Sequence, residues 1–266
     1  MALVAACGGG GGDSRSPAYR TGYFIDSAVG GIEYNSGTVS GVTGSDGSFQ
    51  YQEGQPVTFK IGSMTLGSLT VSNGRVFPVD LVSGATDENN PNVTLIAQVL
   101  QSLDSDGDPS NGITISESTR KAITQSVQLA TVDATQAAST FAQQLSTATG
   151  GTVSMVSAAT AKSHLQSNLI KEFAATRTGS YKGEDSGPCQ VTIATTGQLS
   201  GSCTSTALAS SFNVTGTVAS NGQFTQGQVS TGAVFTGTLM RNGSVSGTWS
   251  NSQYNNITGT WTMTKQ

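Results

Sequence analysis

The last third of the chain, residues 177–266, is cut by turn residues at such short and even intervals that few folds can accommodate it. Thr195-Thr196-Gly197, Ser220-Asn221-Gly222, Thr231-Gly232 and Arg241-Asn242-Gly243 punctuate runs rich in Thr, Val and aromatic residues. Asn-Gly pairs supply the positive φ angles of the primed turns that close two-residue hairpins. The runs 180–183, 190–194, 198–204, 211–219, 223–230, 233–240, 244–250 and 257–264 read as about eight antiparallel strands. A meander of that size leaves two exposed edges unless it closes on itself, so the pattern predicts an eight-strand barrel. Glycines inside the runs, at Gly201, Gly216, Gly227, Gly237, Gly247 and Gly259, suit strands that bend at barrel corners.

Alternation assigns Val214, Val218, Phe224, Phe235, Leu239, Trp249, Ile257, Trp261 and Met263 to the interior. Eight strands enclose just enough space to be filled by side chains or to hold one small ligand. Trp249 and Trp261 therefore have two readings, as solid core or as the wall of a ligand cavity. The outward positions are mostly Ser, Thr, Asn and Gln, which argues against an apolar band facing lipid. Cys189 and Cys203 are symmetric about Thr196, so a three-residue turn sets them opposite each other on one hairpin. Opposed residues lie within disulfide reach, and the spacing predicts that bridge, with two reduced structural cysteines as the alternative.

Residues 18–86 are also cut into short strands. Val57, Phe59 and Ile61 alternate with Thr58 and Lys60, while Asn35-Ser36-Gly37, Ser45-Asp46-Gly47 and Ser72-Asn73-Gly74 mark turns. This predicts an antiparallel β-sandwich of immunoglobulin-like or prealbumin-like topology. Gly22-Tyr23-Phe24-Ile25-Asp26-Ser27-Ala28-Val29-Gly30, Gly47-Ser48-Phe49-Gln50-Tyr51 and Val57-Thr58-Phe59-Lys60-Ile61-Gly62 resemble a module of bacterial surface lipoproteins and adhesin-like proteins. The Gly-x-Phe-x-Tyr run after a polar turn is also similar to the carboxypeptidase-regulatory-like sandwich. The resemblance extends to about Ile115 and implies location and architecture without catalytic residues. More loosely, Gly247-Thr248-Trp249 and Gly259-Thr260-Trp261 resemble the hairpin units of avidin-like and lipocalin-like barrels.

Residues 87–176 switch to helical spacing. Val93, Ile96, Val99, Leu100 and Leu103 define one apolar face, and Thr114-Ile115-Ser116-Glu117 matches a capping box opening a second helix with Ile123, Val127 and Leu129. A third helix opens at Asp133 and stops at Gly150-Gly151. A fourth is capped by Ser157 and carries Ala161, Leu165, Leu169 and Phe173. Between the first two helices runs Asp104-Ser105-Asp106-Gly107-Asp108-Pro109-Ser110-Asn111-Gly112. Alternate acids in a tight loop can aim carboxylates at one cation, so Asp104, Asp106, Asp108 and Asn111 form a candidate Ca²⁺ site. The run resembles the opening of an EF-hand or thrombospondin-type loop, with Pro109 at the EF-hand glycine position and Ile115 at that of the closing glutamate. The other reading is an acidic turn whose Asp and Asn side chains bond their own backbone. His164, the sole histidine, is read as a polar residue on a solvated helix face rather than as part of a Ser-His-Asp set.

Composition narrows the function. With 34 glycines, 11% charged residues and a net charge of −4, the 266-residue chain reads as an exported β-rich protein. It has no basic patch for nucleic acid or an anionic membrane surface. Leu3-Val4-Ala5-Ala6-Cys7-Gly8 resembles a lipobox, which implies a lipid-modified Cys7 followed by a Gly-rich tether across residues 8–17. That places the protein in the bacterial cell envelope as an outer-membrane lipoprotein, periplasmic or surface-exposed, touching the membrane through lipid alone. The function expected is non-enzymatic, in adhesion or envelope interaction, with small-molecule binding in the barrel as the alternative. A hydrolase is disfavoured because Glu184-Asp185 and Asp87-Glu88 sit in polar turns without a spaced base or nucleophile.

Overall fold

The computed structural model describes residues 18–148, 151, 153–241, 243 and 245–266. Cys7, the glycine tether, Gly150 at the end of the third helix, and Asn242 and Ser244 of the 240s turn lie outside them. The described residues are mainly β with four α-helices, sheets in the N-terminal region and a closed eight-strand antiparallel barrel at the C-terminus.

In the N-terminal region Tyr19–Phe24 lies between Ser48–Gln52 and Arg75–Val76. A five-stranded sheet runs Val127–Gln128, Met64–Thr70, Pro56–Ile61, Glu33–Ser36 and Val39–Val42. Phe24, Phe49 and Phe59 meet edge to face between the sheets, with ring centroids 4.8 and 5.0 Å apart around Phe59. The helices are α1 (Pro91–Ser102), α2 (Glu117–Ala122), α3 (Ala134–Ala148) and α4 (Ala158–Lys171). One buried cluster runs from Phe24 and Phe59 through Ile96 and Phe141 to Leu169, so the sandwich and the helices share a core.

Local signals account for most helix starts. Asn90 caps α1 through Asn92 N–H with Pro91 at the first helical position, and Ser157 caps α4 through Thr160 N–H. The opening of α2 differs from the capping-box reading. Its cap is Ser116, which accepts from Thr119 N–H, while Glu117 pairs with Lys121 instead of reaching back. The helix also stops at Ala122, because Val127–Gln128 is taken as a parallel edge strand by Met64 and Thr65. Sheet hydrogen bonds at long range outweigh the helical period there.

The barrel closes where Ala175–Gly183 pairs with Ile257–Lys265. Inward positions carry Val214, Val218, Phe224, Phe235, Leu239, Trp249, Trp261 and Met263, all buried, while Thr236, Thr238, Thr248, Thr260 and Thr262 face out. Outward hydroxyls pair across strands, as in Thr236 with Thr248 at 3.2 Å. Cys189 and Cys203 are register partners and form the expected disulfide, their Cα atoms 4.0 Å apart.

The two Gly-Thr-Trp units interlock across one hairpin. Gly247 stands opposite Trp261, and Gly259 opposite Trp249. A Cβ at Gly247 would lie 2.7 Å from the Trp261 ring, and one at Gly259 2.3 Å from Trp249 Nε1. These two glycines admit the neighbouring indole, a role beyond bending the strand.

One end of the barrel is docked on the rest of the chain. Phe173, just beyond α4, belongs to the barrel core. Arg241 pairs with Asp80 and lies over the Phe77 ring at 5.0 Å, and Arg75 pairs with Glu172. The far end carries the turns at 184–186, 206–209, 230–233 and 252–256.

Candidate functional site

Three places concentrate polar or aromatic chemistry. The first is the barrel interior, the alternative ligand cavity. The Trp249 indole donates to Lys182 O at 3.0 Å, and that of Trp261 donates to Thr236 O at 3.0 Å and Thr248 O at 3.2 Å. Aromatic pairs Phe235–Trp249 and Phe224–Trp261 fill the space beside them. The cavity between Arg177, Leu199, Phe224, Leu239 and Trp261 measures about 20 Å³. That is room for roughly one water. Both tryptophans are buried in the core, and the cavity beside Trp261 is water-sized.

At the docked end Arg177 is 2% exposed and, among the described residues, forms no ion pair. Its guanidinium donates to Phe173 O at 3.5 Å and Gly243 O at 3.3 Å. It therefore bridges a carbonyl just past the end of α4, where the helix dipole favours a cation, and one in the turn before Val245–Asn251.

The second place is the acidic loop. Asp106 Oδ1 accepts from Asp108 N–H at 2.9 Å, and Asp106 Oδ2 accepts from the Asn111 amide at 3.0 Å. Asp108 Oδ1 accepts from Ser110 N–H at 3.1 Å and from the Ser110 hydroxyl at 2.6 Å, capping the turn Pro109–Asn111. Asp104 is turned inward and accepts from Thr114 N–H at 2.8 Å. Burial raises the Asp104 carboxyl above the usual range, and the facing Asp106 carboxylate adds to this. Asp106 is lowered by the Asp108 N–H and the Asn111 amide. Among the described residues no three acidic, His or Cys side chains converge as metal ligands. Asp104, Asp106 and Asn111 are thus brought together, whereas Asp108 is spent on Ser110.

The third place was missed by the sequence reading. His164 is not on a solvated face: its side chain is 17% exposed and packs over the turn after Tyr19–Phe24. Its Nε2 lies 3.1 Å from Ser27 Oγ, 3.0 Å from Asn168 Nδ2, 3.3 Å from Asp26 O and 3.7 Å from Asp26 Oδ1. Ser27 holds a left-handed φ of 57°. Asp26 is fully buried, and Gln101 of α1 donates to its Oδ2 at 2.9 Å. Burial pushes the Asp26 carboxyl up to about 6, opposed by His164 and by hydrogen bonds from Gln101 and Asn168.

A Ser-His-Asp triad needs serine and aspartate on opposite ring nitrogens. Here both approach Nε2, so the cluster ties α1 and α4 to the sheet rather than activating a nucleophile. Two signals were available in the sequence. Asp26 continues the inward parity of Gly22 and Phe24, and His164 and Asn168 share the Ala161 and Leu165 face at helical spacing.

The acids of the turns are also committed. Asp185 accepts from the Tyr181 hydroxyl at 2.6 Å, and Glu184 accepts from Thr258 N–H at 3.0 Å. Asp87 accepts from Asn89 N–H. Glu88, expected in a polar turn, is 2% exposed and accepts from Gln166 of α4 at 2.9 Å.

The described residues thus define a protein with a filled, closed barrel docked on a mixed sheet-and-helix body, and no helix among them is long and apolar enough to cross a membrane. Comparison of the chain with known protein families, with curated proteins and with solved structures gave no match.

Proposed function

We propose that this is a non-enzymatic cell-envelope protein, held to an outer membrane by lipid on Cys7, that acts in adhesion or envelope contact through the outside of its folded body. The observation that carries this reading is the barrel, which is disulfide-stapled, filled, and exposes large apolar residues at its far end. Leu208 is 70% and Tyr254 60% exposed, each in a turn at the end opposite α4. A barrel whose cavity is water-sized offers its surface, and apolar side chains on projecting turns suit contact with a partner. The disulfide accords with an oxidising compartment.

Membrane fractionation tests the anchor. The native protein is expected in the membrane fraction and Cys7→Ser in the soluble fraction. Native protein recovered as soluble, or a Cys7→Ser variant that stays with the membrane, contradicts the reading.

A further inference from the structure

The loop 104–114 contains a buried oxygen with no donor. The loop is closed at its base by Ser105 N–H on Thr114 O at 3.0 Å and by Thr114 N–H on Asp104 Oδ1, and Ile113–Thr114 pairs with Val29–Gly30. Asp104 is 8% exposed, and its second oxygen, Oδ2, is buried with no hydrogen-bond partner. The Asp106 carboxylate is near enough to raise the Asp104 carboxyl. A buried acceptor left unpaired is costly, and two facing carboxylates repel unless a proton or a cation lies between them.

We propose that this loop binds a calcium ion through the carboxylates of Asp104 and Asp106 and the side-chain oxygen of Asn111. The donors are all oxygen, which suits a hard cation, and backbone carbonyls and water complete the shell that Ca²⁺ accepts in irregular geometry. Mg²⁺ requires a near-ideal octahedron and gives up its water reluctantly. For Asn111 to ligate, its amide turns over, giving up the bond from Nδ2 to Asp106. Asp108 keeps its place as the cap on Ser110. Two carboxylates rather than three or four set a weak affinity, Kd on the order of 10⁻⁴–10⁻³ M, as in extracellular modules. Occupancy in the cell at that affinity rests on the envelope reading above. The ion would pin the end of α1 to the strand Ile113–Thr114 and through it to Val29–Gly30.

The test is calcium titration by calorimetry, with thermal melts in calcium and in chelator, on the full chain carrying Cys7→Ser. One ion per chain is expected, with a midpoint rise of about 3–5 °C at ten times the Kd. Mg²⁺ at the same concentration should give a smaller shift. Asp104→Asn and Asp106→Asn should each weaken binding about tenfold or more. Asp104→Asn keeps the acceptor for Thr114, and Asp106 is exposed, so both variants should melt in chelator at or above the parent's midpoint, because each removes one of the two facing charges. Glu117→Gln, at an exposed acid on α2, should bind as the parent does. No heat and no shift in the parent, or a calcium response that survives both substitutions, overturns the proposal and leaves the pair sharing a proton. Binding to the purified chain is independent of where the cell places it, so this result and the anchoring result fail separately.

Discussion

Trp261→Ala should lower the barrel's melting midpoint by more than about 12 °C. The indole is 4% exposed, lies against Gly237 and Gly247, and meets Phe224 edge to face at 6.2 Å. Truncating a buried tryptophan costs about 3–5 kcal/mol. Two carbonyls, Thr236 O and Thr248 O, also lose their donor. A domain the size of this barrel shifts its midpoint by about 4–8 °C per kcal/mol, so a fall of more than about 12 °C is expected. Adjacent glycines cannot fill the void, because they have no side chains to move into it. Near-UV circular dichroism and urea melts read the loss. Trp261→Phe, which keeps a smaller aromatic ring and loses the indole N–H with its two hydrogen bonds, should fall by about half as much. An unchanged midpoint in Trp261→Ala would show that the indole is not part of a packed interior.

The N-terminal body should become less stable as pH rises from about 4 to above 6, in the range where most carboxylates stabilise a fold. Asp26 is the cause. Its folded-state pKa of about 6 lies above the 3.8 of an unperturbed aspartate, so the folded state holds the proton more tightly than the unfolded chain. The associated stability is fully present below the unfolded value and lost as pH climbs through the folded one. A shift of that size corresponds to about 3 kcal/mol at most between the two limits. The groups facing Asp26 are His164 of α4 and the neutral amides of Gln101 and Asn168. Asp26→Asn keeps an acceptor for Gln101 and presents an amide N–H toward Nε2 of His164. It should raise the midpoint at pH 8 by up to about 6–12 °C and flatten the loss between pH 4 and 7. A variant less stable than the parent at pH 8 would mean that the ionised carboxylate is itself a stabilising partner of His164.

What could be read ahead of the structure was what is local in sequence. Gly197, Gly222, Gly232 and Gly243 all adopt a positive φ, although Asn221 does not, so the turn at 219–222 is not the primed type expected of Asn-Gly; the Cys189–Cys203 register follows from a count across one hairpin. The alternation that filled the barrel is likewise a short-range signal. What escaped is set by partners far away along the chain. His164 and Ser27 are 137 residues apart, and Glu88 meets Gln166 across 78. The helical spacing puts His164 on the edge of the Ala161 and Leu165 face, but nothing local says which distant element covers that edge. The early end of α2 has the same origin, since the strand that claims Val127–Gln128 begins at Met64. In the acidic loop the spacing marked four candidate donors, and only backbone geometry could assign Asp108 to Ser110 and turn Asp104 inward.

The most direct measurement of the central claim is a thiol count on protein extracted from its native membrane, denatured without reductant, alkylated and weighed. The account assigns every cysteine: Cys7 to lipid, and Cys189 and Cys203 to each other. It predicts no alkylation before reduction, two alkylated cysteines after reduction, and an N-terminal peptide heavier by its acyl groups. An alkylated Cys7 together with free Cys189 and Cys203 would contradict it, placing the chain unanchored in a reducing compartment.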